Sequence, residues 1–98
     1  MNKTINLKFS YPNERAVVGE KLGKQVFKKQ IDAVMTEEDW EGNITIRFPD
    51  SVIIIGLSFW DEFAKLLLDK IGYTAVMDRV TFVTSSDKLT SDLYRDLI

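Results

Sequence analysis

The sequence of 98 residues contains no cysteine and no histidine, and these two absences exclude several classes of function. Structural zinc sites need thiolate or imidazole ligands, so zinc fingers and zinc ribbons are excluded. Cysteine–histidine and serine–histidine–aspartate nucleophilic centres are excluded for the same reason, and no disulfide can form. The neighbouring carboxylates Asp61 and Glu62 would point about 100° apart on a helix rather than converge for acid–base catalysis. We therefore expect neither an enzyme nor a bound metal or other cofactor.

Long apolar runs are also absent. The longest begins at 52–55 and continues through Gly56 to Leu57, far short of the ~20 residues of a membrane-spanning helix. The first eight residues alternate polar and apolar, with no stretch of signal-peptide character. The formal net charge is −2, from 13 basic and 15 acidic residues, whereas dedicated nucleic-acid binders usually carry a basic surplus. We expect a soluble, cytoplasmic protein that does not associate with membranes.

The composition is typical of a globular protein, with 45% apolar and 29% charged residues. A chain of this length can bury roughly 60–70% of its unfolded surface but has no room for a second core. The sequence shows no internal repeat, low-complexity segment or linker. We therefore predict one domain spanning residues 1–98.

The apolar pattern predicts alternating strands and helices. Three principal strands are predicted at 5–9, 44–48 and 80–84, and three helices at 13–35, 58–72 and 87–97. A continuous branched run at 52–55 suits a short inner strand that is buried on both sides. The order β-α-β-(β)-α-β-α predicts an α/β fold with a mixed or mainly parallel four-stranded sheet and helices packed on it.

Two local signals bear on the predicted helices. Ser58 begins a Ser-Phe-Trp-Asp sequence with the form of a capping box, and the segment Ser85-Ser86-Asp87 is placed to cap the last helix. Gly19 and Gly23 lie one helical turn apart, without the spacing of a phosphate-binding loop. We interpret these two glycines as positions where the first helix approaches the sheet closely.

Positive charge is concentrated in the first third of the chain. Residues 1–31 carry seven basic and two acidic side chains, whereas residues 32–98 carry six basic and thirteen acidic side chains. Four of the basic residues lie on the polar side of the first predicted helix: Lys21, Lys24, Lys28 and Lys29. Such a charge distribution can steer encounter with a charged partner, although a solvated helix face is the simpler interpretation.

The second predicted helix is apolar over an unusually wide arc. Phe59 and Phe63 face the sheet, and Trp60 extends the apolar surface to about 200°, where one sheet contact needs about 100°. The part of this apolar surface that does not contact the sheet is covered either by the last helix, which we favour, or by a partner protein. Trp40, in a predicted turn at 40–43, is a second candidate surface anchor because tryptophan is enriched at interface hot spots.

The segment from Ile55 to Phe63 has the sequence Ile-Gly-Leu-Ser-Phe-Trp-Asp-Glu-Phe and follows the predicted strand at 44–48. It resembles a bacterial STAS-like family of unknown function, whose members carry Ile-Gly-x-x-Phe-x-Asp-Glu and an apolar residue where a helix opens. The segment from Arg15 to Gly19, with Leu22, is loosely similar to the first helix of that family. The resemblance implies a STAS-type fold, in agreement with the predicted element order.

The resemblance also implies a function. STAS domains include bacterial anti-sigma factor antagonists, which bind a GHKL-type ATP-binding kinase and are switched by phosphorylation of a serine at a helix start. Ser58 lies close to that place and is the candidate phosphorylation site. The Asp-Ser-Ser-Gly motif of those antagonists is not kept in the STAS-like family, and this chain has Gly-Leu-Ser-Phe there.

We predict a non-catalytic, regulatory protein-interaction module whose partner is a GHKL-type ATPase or kinase. Its predicted partner-binding residues lie in the turn and helix at 56–63: Gly56, Ser58, Phe59, Trp60 and Asp61. One alternative is a nucleic-acid-associated regulator that uses the four lysines of the first helix. Another is a small ligand-binding domain with a pocket at the carboxyl ends of the strands.

Overall fold

The computed structural model describes residues 2–97, in which five strands and five α-helices are found. The strands are β1 (Asn2–Asn6), β2 (Ala16–Val17), β3 (Asn43–Arg47), β4 (Ile54–Ile55) and β5 (Val80–Val83). The α-helices are α1 (Glu20–Val26), α2 (Glu37–Glu41), α3 (Leu57–Ile71), α4 (Tyr73–Arg79) and α5 (Asp87–Arg95). A π-helical segment (Phe27–Asp32) continues α1.

The strands form two separate parallel sheets. β1, β3 and β5 form a three-stranded sheet in the order β1-β3-β5, and β2 pairs with β4. The predicted α/β class is confirmed, but the residues of the fourth predicted strand do not join the main sheet. Pro49 cannot donate a ladder hydrogen bond, and beyond it the N–H groups of Ile53 and Ile54 donate to the Arg15 carbonyl at 2.8 and 3.1 Å. Ile53 and Ile54 are both exposed, so the prediction that 52–55 is buried on both sides is wrong.

The main sheet has one face against the helices and one face open to solvent. Three register partners are buried against the helices: Ile5, Ile46 and Phe82. Three register partners lie on the opposite face: Thr4, Thr45 and Thr81. Because successive side chains of a strand point to opposite faces, this alternation places apolar residues inside and threonines outside.

The first helix begins later than predicted. α1 starts at Glu20, after Gly19 with a φ of 100°, a backbone conformation that favours glycine. Residues upstream are extended because β2 pairs with β4, and the Val17 carbonyl accepts a hydrogen bond from the Gly56 N–H at 2.8 Å. The predicted helix start at Asn13 is therefore wrong, whereas the π-helical segment carries the helix close to its predicted end.

α1 packs closely against α3. A Cβ atom added at Gly23 would lie well inside van der Waals distance of the Phe59 carbonyl oxygen. At Gly19, by contrast, an added Cβ would meet no atom within 4 Å. Our interpretation that both glycines bring the first helix onto the sheet is therefore wrong, because Gly23 permits a helix–helix contact instead.

Aromatic rings form the centre of the core between the helices and the sheet. Phe63 of α3 meets Phe27 edge-on with ring centroids 5.8 Å apart and stacks on Phe59 at 5.9 Å. Trp60 meets Phe82 of β5 edge-on at 5.0 Å. Each such pair typically adds roughly 0.5–1.5 kcal/mol beyond the apolar area that it buries. α3 is thus the element that holds the helical layer to the sheet.

α5 covers the flank of α3 that the sheet leaves open. The indole N–H of Trp60 donates to the Leu93 carbonyl at 3.0 Å, and Leu93 and Leu97 are buried. The start of α5 is as predicted, because the Ser86 hydroxyl accepts a hydrogen bond from the Leu89 N–H at 3.1 Å. The favoured prediction, that the last helix covers the surplus apolar arc, is therefore confirmed.

α5 also closes the outer edge of β5. The Tyr94 hydroxyl accepts a hydrogen bond from the Phe82 N–H and donates one to the Val80 carbonyl, both at 3.0 Å. These two backbone groups point away from β3 and would otherwise be free to pair with another strand. One edge of the main sheet is thus blocked by a side chain of the same molecule.

α2 and α4 were not predicted by the apolar pattern. α2 ends in the first two residues of the predicted turn at 40–43, and α4 follows α3 across Gly72, which has a φ of 87°. α2 begins with a capping box: the Thr36 hydroxyl accepts from the Asp39 N–H at 3.1 Å, and the Asp39 carboxylate accepts from the Thr36 N–H at 3.0 Å. A helix too short to show apolar periodicity is therefore held by its cap.

The stability that this capping box contributes is expected to depend on pH. The hydrogen bond from the Thr36 backbone N–H holds the pKa of Asp39 below its usual value, and the Thr36 hydroxyl and Lys3 act in the same direction. Because the folded-state pKa is the lower one, the contribution is complete above the unfolded-state pKa of about 4 and is lost as pH falls through the folded-state value. We expect Asp39→Asn to lower the free energy of unfolding at neutral pH, by an amount that shrinks in acid.

Urea unfolding of the wild type and of Asp39→Asn, at neutral pH and below about pH 3, would measure the difference in their free energies of unfolding. Glu38→Gln is the matched control, because it removes a carboxylate from the same turn without touching the capping box. A difference between wild type and Asp39→Asn that is independent of pH would contradict the prediction.

Candidate interaction surface

The predicted partner-binding residues are divided between the core and the surface. Phe59 and Trp60 are 0% and 1% exposed, respectively. Helical periodicity turns these two side chains toward the sheet and α5, so they are core residues and cannot make the direct partner contacts that we predicted. Ser58 and Asp61 are exposed, and Gly56 is half-buried. The accessible part of the segment is therefore its first turn and the outer side of α3.

Trp40 is likewise a core residue. It is buried, its ring centroid lies 6.5 Å from that of Phe27, and the Lys70 ammonium group lies 5.5 Å from its centroid on the outside. Arg79 donates to the carbonyl oxygens of Trp40 and Gly42 at 2.6 and 2.8 Å. Trp40 is therefore covered by its own chain and is not the surface anchor that we predicted.

The Ser58 hydroxyl does not cap α3. The N-cap position is Gly56, and Ser58 lies within the first turn of the helix. Its hydroxyl oxygen accepts a hydrogen bond from the Gly19 N–H at 3.2 Å. The predicted capping box at this position is therefore wrong, and Ser58 instead joins the start of α3 to the segment that leads into α1.

Three apolar side chains surround the Gly56 turn and are exposed to solvent. Val18, Ile54 and Leu57 are 57%, 54% and 62% exposed, respectively. Ile54 lies in β4, two residues before Gly56, and Leu57 follows Gly56 as the first residue of α3. A Cβ atom at Gly56 would lie 2.9 Å from the Val18 Cγ1 atom, so Val18 covers this glycine. We name these three side chains, around Gly56, the apolar patch.

The residues of the apolar patch were not recognised as surface residues in the sequence. Val18 fitted the apolar side of a helix, and Ile54 fitted a strand that was predicted to be buried on both sides. Both become exposed because β2 and β4 pair with each other outside the main sheet. Leu57, placed between a glycine and a serine at a helix start, is the one signal in the sequence that could have pointed to this surface.

Acidic side chains border the apolar patch on the side of α3. A shallow depression of about 330 Å³ is lined by five residues: Glu20, Ser58, Asp61, Glu62 and Lys65. Three carboxylates and one ammonium group thus line the same depression as Ser58. Because like charges repel, this setting disfavours a phosphate group at Ser58. Phosphorylation of Ser58 stays a prediction.

The four lysines of the predicted basic face lie on α1 and the π-helical segment, and all are exposed. No ion pair formed within residues 2–97 includes any of these four lysines. By contrast, Lys70 and Lys88 lie 3.5 and 3.4 Å from Asp32 and Asp92. Within the described part of the chain, the positive charge of the basic face is therefore not offset by ion pairs.

A shallow depression lies where the chain leaves the carboxyl ends of β1 and β3. A depression of about 300 Å³ at the ends of β1 and β3 is lined by Leu7, Lys8, Phe9, Ser10, Tyr11, Pro12 and Pro49. Across residues 2–97 no group of three or more acidic side chains is placed to hold a metal ion. Within the same residues, no helix combines the length and the apolar character needed to cross a membrane.

A scan against protein-family models, a search of curated proteins and a search of solved structures each find no match to this chain. What the structure itself defines is a two-layer α/β protein with an apolar patch beside the start of α3.

Proposed function

We propose that this chain is a non-catalytic protein-interaction module that docks a partner through the apolar patch. The observation that carries the proposal is the exposure of three large apolar side chains around one glycine turn. Exposed apolar side chains that are clustered, rather than scattered singly, are typical of protein-interaction sites. The proposal keeps the predicted docking region at 56–63 but replaces its buried aromatic residues with Val18, Ile54 and Leu57.

The surroundings of the apolar patch favour a particular kind of partner. Two of its three side chains are β-branched and stiff, and Ile54 is held in the short β2–β4 pair, so little entropy is lost on binding. Glu20, Asp61 and Glu62 border one side. A partner surface with an apolar centre and basic residues beside it would be complementary. A GHKL-type ATP-binding protein, the partner implied by the STAS-like resemblance, is the first to test.

Leu57→Asp is expected to abolish docking without unfolding the protein. Leu57 is the first residue of α3, and an acidic residue there suits the positive end of the helix dipole. A charge introduced into the apolar patch should weaken binding at least about 30-fold, as hot-spot changes do. Isothermal titration calorimetry with a purified GHKL-type ATP-binding protein of the native host would measure the loss.

Met77→Asp is the matched control for that experiment. Met77 is an exposed apolar residue on α4 and does not belong to the apolar patch. It should leave the affinity unchanged, which separates a local effect from a general effect of added negative charge. Equal binding by wild type and Leu57→Asp would overturn the docking site.

A second candidate function, association with nucleic acid, is favoured by the lysines of the basic face, none of which forms an ion pair with another residue between 2 and 97. If these lysines contact phosphates, affinity should fall steeply with salt, because bound counterions are released on binding. The double variant Lys24→Glu/Lys28→Glu should then bind a duplex or single-stranded oligonucleotide at low salt tenfold or more weakly than the wild type. The control variant Lys88→Glu changes a lysine on the distant helix α5 and should bind as the wild type does. A flat salt response would rule this function out.

A further inference from the structure

The two edges of the main sheet differ in how far side chains occupy their outward-facing backbone groups. The outer edge of β5 is closed by the Tyr94 hydroxyl, which occupies the outward-facing N–H of Phe82 and carbonyl of Val80. At the other edge, the chain just beyond β1 is closed by Gln30. The Gln30 amide accepts from the Lys8 N–H at 2.8 Å and donates to the Lys8 carbonyl at 2.7 Å. Both side chains make the hydrogen bonds that the backbone of a neighbouring strand would make.

Gln30 blocks this edge only at Lys8, and the outer edge of β1 itself differs. The Leu7 N–H donates to the Arg47 carbonyl at 2.8 Å, so the backbone groups of Leu7 face β3. In a parallel pair, alternate residues of a strand face the neighbour and the others face away. By this alternation the N–H and carbonyl groups of Thr4 and Asn6 point outward, on the same side as those of Lys8. Among residues 2–97, no group bonds to the outward-facing backbone of β1 (Asn2–Asn6), which belongs to Asn2, Thr4 and Asn6.

We propose that a second copy of this chain pairs with the β1 edge, antiparallel and centred on Thr4. The outward residues then face one another as hydrogen-bonded pairs: Thr4 opposite Thr4 of the second copy, and Asn2 opposite its Asn6. Each such pair exchanges two backbone hydrogen bonds. The two-fold axis passes through the Thr4 pair and exchanges the two pairs of Asn2 with Asn6, so the contact contains three pairs. The Gln30 cap at Lys8 prevents pairing further along, which restricts the contact to this register.

The side chains of β1 are compatible with self-pairing. Asn2, Thr4 and Asn6 carry no charge, so no like charges lie directly opposite each other on the open face. Lys3 would lie opposite Ile5 of the second copy, and its ammonium group is 3.9 Å from the Asp39 carboxylate, which offsets its charge. β1 also lacks proline, which many exposed edges use to prevent association.

The position of Tyr94 explains why such pairing would stop at a dimer. Joining two β1 edges gives one six-stranded sheet whose outer strands are the two copies of β5. Both of those edges are closed by a Tyr94 hydroxyl, so no third chain can add. The contact is therefore a closed two-fold dimer rather than the start of a fibre.

Single-cysteine cross-linking would test the register directly, because the natural chain contains no cysteine. Residues opposite each other in a hydrogen-bonded antiparallel pair have Cα atoms about 5.5 Å apart, within disulfide range. Under a mild oxidant, Thr4→Cys should convert to a covalent dimer. Thr81→Cys, exposed on the same sheet face two strands away, should stay monomeric on a non-reducing gel. Equal cross-linking of both variants, or dimer from Thr81→Cys alone, would overturn the proposal.

Multi-angle light scattering during size exclusion gives a second, independent measurement. The wild type at high micromolar concentration should elute with twice the chain mass of 11.3 kDa. Thr4→Pro removes only an outward-facing N–H and keeps the hydrogen bonds to β3, so it should be a folded monomer with an unchanged circular dichroism spectrum. Thr4→Val keeps the backbone N–H and should remain dimeric. A wild type that is monomeric under these conditions overturns the proposal.

Discussion

Trp60→Ala is expected to lower the free energy of unfolding by about 3–5 kcal/mol, the range typical of removing a buried aromatic ring. Trp60 is fully buried, lies edge-on to Phe82 with ring centroids 5.0 Å apart, and stacks on Phe63 at 5.7 Å. The variant also leaves the Leu93 carbonyl without the indole N–H that bonds to it at 3.0 Å. Because small domains are stable by only about 5–15 kcal/mol, this is a large part of the total. Chemical denaturation followed by circular dichroism would measure it.

Trp60→Phe separates the two contributions of this residue. It keeps an aromatic ring in the core but removes the hydrogen bond to Leu93, so we expect a smaller loss than for alanine. If Trp60→Ala unfolded at the same denaturant concentration as wild type, the packing described here would be contradicted. The expected loss also means that reduced partner binding by Trp60→Ala would report unfolding rather than a docking contact, which is why Leu57 is the better probe of the apolar patch.

Gly23→Ala is expected to destabilise the protein by about 1–3 kcal/mol, the usual cost of overpacking a tight contact. At an exposed helical position the same change would stabilise the fold by up to about 1 kcal/mol, because alanine is the better helix former. Here the added methyl group would meet the Phe59 carbonyl oxygen, a backbone atom that cannot rotate away. α1 and α3 must therefore separate, and the aromatic contacts beneath them must loosen.

The matched control for Gly23→Ala is Lys24→Ala on the same helix. Lys24 is exposed, so its truncation should change the free energy of unfolding by no more than about 0.5 kcal/mol. A Gly23→Ala variant more stable than wild type would show that α1 and α3 are not in close contact. Both stabilities can be compared by urea unfolding at one pH.

Strong local patterns were sufficient to predict several elements. β3, β5 and α3 lie close to their predicted positions, because period-two or helical apolar spacing there agrees with the burial in the fold. A cap for α5 within Ser85-Ser86-Asp87 was predicted because a serine before a helix satisfies backbone N–H groups locally, and Ser86 provides it. These features depend on residues within a few positions of one another in the chain.

Elements that depend on distant partners were missed or misplaced. Ala16–Val17 were predicted to be helical, yet they pair with Ile54–Ile55 and become β2. α2 and α4 have five and seven residues, too few for apolar periodicity to stand out. The apolar patch was missed for the same reason, since its exposure follows from the β2–β4 pairing rather than from any local pattern.

The amino-acid order alone determined the α/β class, the exclusion of thiol and imidazole chemistry, and the wide apolar surface of α3, because composition and spacing are properties of the chain itself. Tertiary structure alone decided which apolar side chains are accessible. Trp60 is covered because α5 folds back to place Leu93 over it, and Leu57 is exposed because no other segment of residues 2–97 packs over the start of α3. Accessibility depends on where remote segments pack, and that information is not local in sequence.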